Sequence, residues 1–159
     1  MFKKLLTTRS LCVSAVIAAL YAALTLLLAP ISYGGVQCRL SEAMTLLPMV
    51  LPQAIPGLFV GCLIANLYTG MLTDILFGSL ATLIAAIGTY LLRKKPLLAA
   101  ACPILANAVI VGLVLSFTFH WPIPLTMLQV GLGETGAVLV GFVILSALKR
   151  ARIDLTRLG

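Results

Sequence analysis

The chain alternates between long apolar stretches and short interruptions that carry prolines or charges. Because a membrane-spanning helix needs roughly 20 predominantly apolar residues, we divide the chain into segments near that length. Six segments result, at residues 10–29, 40–52, 55–69, 72–92, 97–119 and 125–148. The pattern predicts an all-α integral membrane protein with six transmembrane helices, folded as a single membrane domain over residues 1–159.

The basic residues test the count of six, since the second and third segments are short and meet at a proline-rich corner. Ten of the eleven Lys and Arg residues fall into three clusters, within residues 3–9, 93–95 and 149–157. With six helices and a cytoplasmic N-terminus, all three clusters lie inside, where basic residues accumulate, and only Arg39 lies outside. Merging the two short segments into one span would put either the middle cluster or the C-terminal cluster on the outer side of the membrane. We therefore predict six spans with both termini cytoplasmic.

Composition excludes most other classes of protein. The chain is 62% hydrophobic and 9% charged, whereas soluble domains carry about 25% charged residues. The net charge of +7 does not indicate nucleic-acid binding, because no basic stripe is interleaved with aromatic residues. We expect the lipid bilayer to be the main surrounding. The first apolar run is as long as a membrane span and is followed by Pro30, so we expect it to be retained and not cleaved.

Three of the four carboxylates, Glu42, Asp74 and Glu134, lie in or beside apolar segments. An ionisable residue inside a membrane costs at least about 2.5 kcal/mol and is a functional candidate by default. Glu134 is the strongest candidate, since it falls near mid-membrane and has no basic residue within one helical turn. Six spans place all three carboxylates in the outer half of the membrane. This predicts a pocket that opens outward and takes a polar or cationic solute.

Each polar neighbour of this candidate site has a structural alternative. Asn66 and Asn107 either bind the solute or form hydrogen bonds between helices. Arg39 either lines the site or forms an ion pair with Glu42, which lies three residues further on. Asp74 either contributes to the site or lies exposed at a helix N-terminus, where a negative charge is favourable.

Aromatic and cysteine residues give weaker indications. Tyr33 and Trp121 are typical of membrane-interface anchors, with stacking on a ligand as the alternative. The four cysteines show no CxxC spacing and lie in or near apolar segments. We expect free thiols that act as small hydrophobic groups, with no metal site.

Small residues recur every four positions on two predicted helices. Ala15, Ala19 and Ala23 form such a ladder on the first helix, and Gly57, Gly61 and Ala65 form one on the third. This spacing lets helices approach closely in lipid. For the third helix we expect the ladder to pack within the chain. The first helix has small residues over nearly a whole side, which would suit a helix from another subunit.

Motifs of enzymes and nucleotide-binding proteins are missing. The sequence has no GxxxxGK[ST], HExxH or GxSxG motif and contains one histidine, so we do not expect an enzyme. No inverted repeat relates the two halves, and 159 residues is small for a self-contained alternating-access carrier. The chain is therefore predicted to capture a solute for partner proteins that move it.

Four stretches of the sequence carry a resemblance to a known family. They are VQCRLSEA at 36–43, LLP at 46–48, PGLFVGCLIAN at 56–66 and DILFGSLATL at 74–83. Together they resemble the QueT family, the substrate-binding S components of energy-coupling factor (ECF) transporters. The resemblance extends over nearly the whole chain.

The resemblance implies a six-helix protein of the bacterial plasma membrane that binds its cargo from outside. The implied cargo is a queuosine precursor such as 7-aminomethyl-7-deazaguanine. The implied partners are an ECF transmembrane coupling protein and two cytoplasmic ATPases, which consume the ATP, so this chain would hold no cofactor. S components meet the coupling protein through an AxxxA motif on the first helix, and Ala15, Ala19 and Ala23 fit that role.

The chemistry of this cargo fits the candidate residues. A deazaguanine presents an N1–H and an exocyclic amine that one carboxylate accepts together, and its aminomethyl arm is cationic. We hypothesise that Glu134 takes one of these groups and Glu42 the other, in an order the sequence does not assign. The loop at 30–38 would close over the pocket. The remaining contacts would come from Asn107 and Asn66, and from Tyr33, Phe117 or Trp121 stacked on the base.

Two other functions stay open. A small proton-coupled carrier would export cations through Glu134 as a homodimer and would transport without an ATPase. An assembly subunit would bind no ligand, and its carboxylates would only pair with Arg39 and with helix ends.

Overall fold

The computed structural model describes residues 7–32 and 39–151, which are helical and contain no strand. The helices follow one another as α1 (Thr8–Leu27), α2 (Ala29–Ser32), a 3-10 helix (Leu40–Met49), α3 (Ala54–Leu67), a π-helical turn (Asp74–Gly78), α4 (Ser79–Leu91), α5 (Pro96–Phe119) and α6 (Ile123–Arg150).

Four of the helical stretches in the described ranges are long and apolar enough to cross a membrane. They are α1, the π-helical turn continued by α4, α5 and α6. The second and third predicted spans correspond to the shorter 3-10 helix, of 10 residues, and to α3, of 14 residues. Each predicted segment thus coincides with a helical stretch, while two of the six are shorter than a full α-helical span.

The second predicted span is a 3-10 helix and not an α-helix. Pro48 lies inside it, and a proline ring in an α-helix clashes with the carbonyl four residues earlier. A 3-10 helix rises about 2.0 Å per residue, more than an α-helix, so ten residues cover a longer distance. The segment runs along α1, as contacts at both of its ends show. Near its start Ser41 Oγ lies 2.7 Å from Thr25 Oγ1, and beyond its end Ser14 Oγ donates to the Gln53 carbonyl at 2.8 Å.

Glycines on α3 let this helix lie directly against α1. A Cβ atom at Gly57 would fall 2.6 Å from the carbonyl oxygen of Ser14, and one at Gly61 would fall 2.7 Å from that of Ala18. The expected packing of the third-helix ladder within the chain is confirmed.

The later helices pack beside their sequence neighbours and alternate in direction. Gly88, near the end of α4, faces Cys102 near the start of α5, and Gly112, late in α5, faces Met127 early in α6. As a result, the turn between α4 and α5 and the C-terminal end of α6 lie at the same end of the bundle.

Large apolar side chains cover the outside of the bundle, and small or polar ones fill much of its interior. Leu27 and Leu97 are both 79% exposed. Many buried positions hold Ala, Ser or Thr, including Ala85, Thr82 and Thr89. This distribution suits a lipid environment, where close packing and hydrogen bonds between helices replace burial from water.

Candidate ligand-binding site

A small polar cavity lies between the 3-10 helix, α5 and α6. It is lined by Arg39, Glu42, Asn107, Val111, Val130 and Glu134. Its central space is about 10 Å³, room for about one water molecule. A larger ligand enters only if the lining side chains move apart.

Glu134 reaches the cavity from the middle of α6, where it is 3% exposed. Its Oε1 atom has no hydrogen-bond partner among the residues that the structure describes. Asn107, near the centre of α5, interacts with the carboxylates of both Glu134 and Glu42. Gly112 lets α5 lie close to α6, because a Cβ atom there would lie 2.9 Å from the Cα atom of Met127.

Glu42 reaches the same cavity from the 3-10 helix and is held by one of its two oxygens. The hydroxyl of Tyr21 donates to Oε1, and Thr82 Oγ1 donates to the same atom at 3.2 Å. Within residues 7–32 and 39–151, Oε2 has no hydrogen-bond partner. The carboxylate is therefore fixed in place by α1 and α4 while one oxygen is left to the cavity.

Arg39 forms a buried ion pair with Asp74. The Nη2 atom of Arg39 lies 3.0 Å from Oδ2 of Asp74, and both side chains are almost completely buried. The observed partner lies far away in sequence, at the start of the π-helical turn, and is not the Glu42 three residues on that we considered. The alternative that Asp74 is exposed at a helix N-terminus is wrong.

Asn66 connects α3 to the π-helical turn and does not line the cavity. Its Nδ2 atom donates to the carbonyl oxygen of Asp74 at 3.0 Å. Gly78 makes room for this contact, since a Cβ atom there would lie 2.9 Å from Asn66 Nδ2 and 3.0 Å from Asp74 Oδ1. The structure therefore supports the structural alternative for Asn66, a hydrogen bond between helical segments.

Two of the three aromatic candidates, Phe117 and Trp121, do not line the cavity. Phe117 is 70% exposed and belongs to an apolar surface groove of about 480 Å³. It lies ten residues after Asn107, about 80° away around an α-helix. Trp121 stacks on Phe119, with ring centroids 5.3 Å apart. Tyr33 and residues 33–38 of the predicted closing loop lie outside the described residues.

Sequence reasoning missed Tyr21, Thr82 and the contact of Asp74 with Arg39. Tyr21 carried a usable signal, because the polar residues Ser14, Tyr21 and Thr25 recur at helical spacing, and all three are buried. A polar stripe of this kind on an apolar helix indicates an inward face. The Asp74 contact had no such signal, since the residues are 35 positions apart.

The small residues of α1 form two adjacent ladders with different surroundings. Ser14, Ala18 and Ala22 are buried. Ala15, Ala19 and Ala23 are exposed on the neighbouring face. The second ladder is therefore not used to pack helices within the described part of the chain.

In the described residues, four apolar helices of membrane length surround a buried site of two carboxylates, an arrangement typical of multi-pass membrane transport proteins. The chain belongs to the QueT transporter family, whose family model matches residues 11–150. It is 29% identical over 158 residues to the queuosine precursor transporter QueT of Lactococcus lactis subsp. cremoris (strain MG1363), covering 90% of this chain and 93% of that protein. No solved structure matches the chain.

Proposed function

We propose that this chain is the substrate-binding S component of an ECF importer and captures a cationic deazapurine, such as 7-aminomethyl-7-deazaguanine. The observation that carries the proposal is the convergence of Glu42 and Glu134 on one buried cavity in a QueT-family chain. Each carboxylate has one oxygen with no hydrogen-bond partner in the described structure. Two buried carboxylates suit a ligand that brings both hydrogen-bond donors and a positive charge.

The contacts of the two carboxylates support different roles. Glu42 already accepts hydrogen bonds from Tyr21 and Thr82 on one oxygen, so its other oxygen would accept from the ammonium arm. Glu134 has fewer partners and would accept the N1–H and the exocyclic amine of the base with both oxygens. Asn107 interacts with both carboxylates and would bind the carbonyl or ring nitrogens.

The position of the basic residues supports a cytoplasmic location for both termini. Arg9 lies near the start of α1, residues 93–95 form the turn between α4 and α5, and Lys149 lies near the end of α6. Because the helices alternate in direction, residues 93–95 and Lys149 lie at one end of the bundle. The start of α1 lies at this end too, because it is beside the start of α3, where Gly57 faces Ser14. In the cell membrane this end would face the cytoplasm, and the cavity would fill from the outside.

The exposed ladder of Ala15, Ala19 and Ala23 supports a partner in the membrane. Small residues every four positions allow a second helix to pack closely. We assign this face to the ECF coupling protein, with two cytoplasmic ATPases supplying the energy. The chain itself would hold no cofactor, because ATP would bind only to those partners.

A second candidate is a proton-coupled cation carrier, which is favoured by the closeness of two buried carboxylates. Reconstitution into liposomes distinguishes it from the S component. With the chain alone, an S component binds 7-aminomethyl-7-deazaguanine but does not accumulate it under a proton gradient. With the coupling protein, the ATPases and ATP, accumulation appears. Gradient-driven accumulation by the chain alone would contradict the proposal and support the carrier.

A further inference from the structure

Asp74 lies behind the cavity and contacts a residue that lines it. Arg39 is part of the cavity wall, and Asp74 holds its guanidinium at 3.0 Å without being part of that wall itself. The four groups Arg39, Asp74, Glu42 and Glu134 are at most 6% exposed. Their charges therefore act on one another with little screening by water.

The Arg39 guanidinium interacts electrostatically with Asp74 behind the cavity and with the two carboxylates inside it. Arg39 pairs with Asp74 and donates weakly to the Cys62 sulfur, and its charge also acts on Glu42 and Glu134. A guanidinium carries five donors in a fixed fork that matches a carboxylate. The open oxygens of Glu42 and Glu134 are charged acceptors in the same cavity wall as Arg39, and they are available to the guanidinium if Asp74 no longer holds it.

The position of Asp74 is fixed from two directions. Asn66 donates to its backbone carbonyl at 3.0 Å, and Gly78 lets the Asn66 and Asp74 side chains approach the same turn of helix. These contacts hold the backbone that carries Asp74, and its Oδ2 atom in turn holds the Arg39 guanidinium.

From this geometry we infer that Asp74 sets the charge selectivity of the site by keeping the Arg39 guanidinium off Glu42 and Glu134. Asp74 is a positioning residue that acts through Arg39. The inference rests on the proposed function, since it concerns the same cavity. With Asp74 and Arg39 neutralising each other, the two cavity carboxylates remain available to a cationic ligand. A released guanidinium would occupy the place of the ligand's ammonium group and leave the site without its preference for a cation.

The test compares two ligands that differ in one group. 7-Aminomethyl-7-deazaguanine carries a cationic arm, and 7-hydroxymethyl-7-deazaguanine has a neutral arm of nearly the same size. Equilibrium binding of both is measured with the full chain in detergent. We expect Asp74→Asn to weaken binding of the cationic base by roughly tenfold or more, a coupling within the usual range for one charge network. Binding of the neutral base changes much less. An equal loss for both bases would show that Asp74 has only a structural role and would overturn the inference.

The double variant Arg39→Gln with Asp74→Asn separates charge from folding. It removes the cation and the anion together, so neither is left buried without its partner. We expect it to prefer the cationic base over the neutral base more strongly than Asp74→Asn does. It also decides the question if Asp74→Asn alone does not fold, because a double variant without that preference would overturn the inference. If the unmodified chain binds neither base, the proposed function itself has failed. If Asp74→Asn binds both bases as the unmodified chain does, the role of Asp74 is rejected while the proposed function stands.

Discussion

At the scale of single residues, the two cavity carboxylates differ in what holds them. Glu42 is fixed by hydroxyl groups from α1 and α4, whereas Glu134 depends on Asn107 and on the close packing of α5 and α6. A group with fewer internal partners gains more from a ligand that supplies donors. Glu134 is therefore the carboxylate whose removal we expect to affect binding most.

Replacing Glu134 with glutamine should weaken binding of 7-aminomethyl-7-deazaguanine by roughly tenfold or more, since hydrogen bonds to charged groups contribute about 1.5–3 kcal/mol. The amide presents a donor where the base also presents donors. Thermal stability should not fall, because the change removes a buried charge. Leu132→Ala is the matched control, as this side chain is 62% exposed on the same helix. Unchanged binding by Glu134→Gln would remove this residue from the site.

Replacing Tyr21 with phenylalanine should lower the free energy of unfolding by about 1–3 kcal/mol, because it removes one of the two buried hydroxyl donors to Glu42 Oε1. Tyr21 is completely buried and its hydroxyl donates to Glu42. Tyr90→Phe is the control, since that ring lies under Arg93 at 4.2 Å and the change keeps the ring. Unfolding in detergent measures both variants. Equal stability of the two would argue against a role for Tyr21 in fixing Glu42.

The sequence predicted that Glu42, Glu134, Asn107 and Arg39 belong to one site, because polar side chains in an apolar membrane protein are placed in its interior and not against lipid. It did not predict the partner of Arg39. Local spacing favours Glu42, while the observed ion pair to Asp74 depends on how α3 and the π-helical turn fold back. Phe117 lies outside the cavity, and the sequence could not indicate this because an aromatic residue in a membrane helix suits the lipid face as well as the interior.

At the scale of elements, two local features allow short segments to take part in a membrane bundle. Pro48 favours a 3-10 helix, which covers more distance per residue than an α-helix. Gly57 and Gly61 bring α3 into direct contact with α1. The apolar pattern predicted both segments, but hydrophobicity alone does not distinguish an α-helix from a 3-10 helix. The proline inside the segment was the only signal of the difference.

Replacing Gly61 with alanine should destabilise the bundle by about 1–3 kcal/mol, the usual cost of overpacking. The new Cβ atom would lie 2.7 Å from a backbone oxygen of α1, which has no room to move without shifting the helix. Gly136→Ala is the matched control, because a Cβ atom there meets nothing within 4 Å. Thermal unfolding of both variants in detergent is the measurement. A neutral Gly61→Ala would mean that α1 and α3 are not in such close contact.

At the scale of the whole molecule, the bundle places its polar groups inside and one unpaired face of small residues outside. Ala15, Ala19 and Ala23 leave a shallow surface on α1 beside bulky exposed residues such as Val16 and Leu20. This contrast suits a specific helix partner better than lipid alone.

Ala19→Leu should prevent co-purification with the coupling protein and the ATPases, because a bulky side chain keeps a partner helix away from the ladder. Ligand binding by the isolated chain should be unchanged, since the residue points away from the cavity. Ala147→Leu makes the same substitution at an exposed position of α6 and should leave the complex intact. Loss of the complex in both variants, or in neither, would count against this face as the interface.

The central claim is that the buried cavity captures a cationic deazapurine, and ligand-induced thermal stabilisation of the purified chain in detergent tests it most directly. 7-Aminomethyl-7-deazaguanine is compared with guanine and with riboflavin. The account predicts stabilisation by the deazapurine alone, by about 2.7 kcal/mol at a hundredfold excess over Kd. A well-folded sample that responds to none of these ligands, or equally to all three, would contradict it.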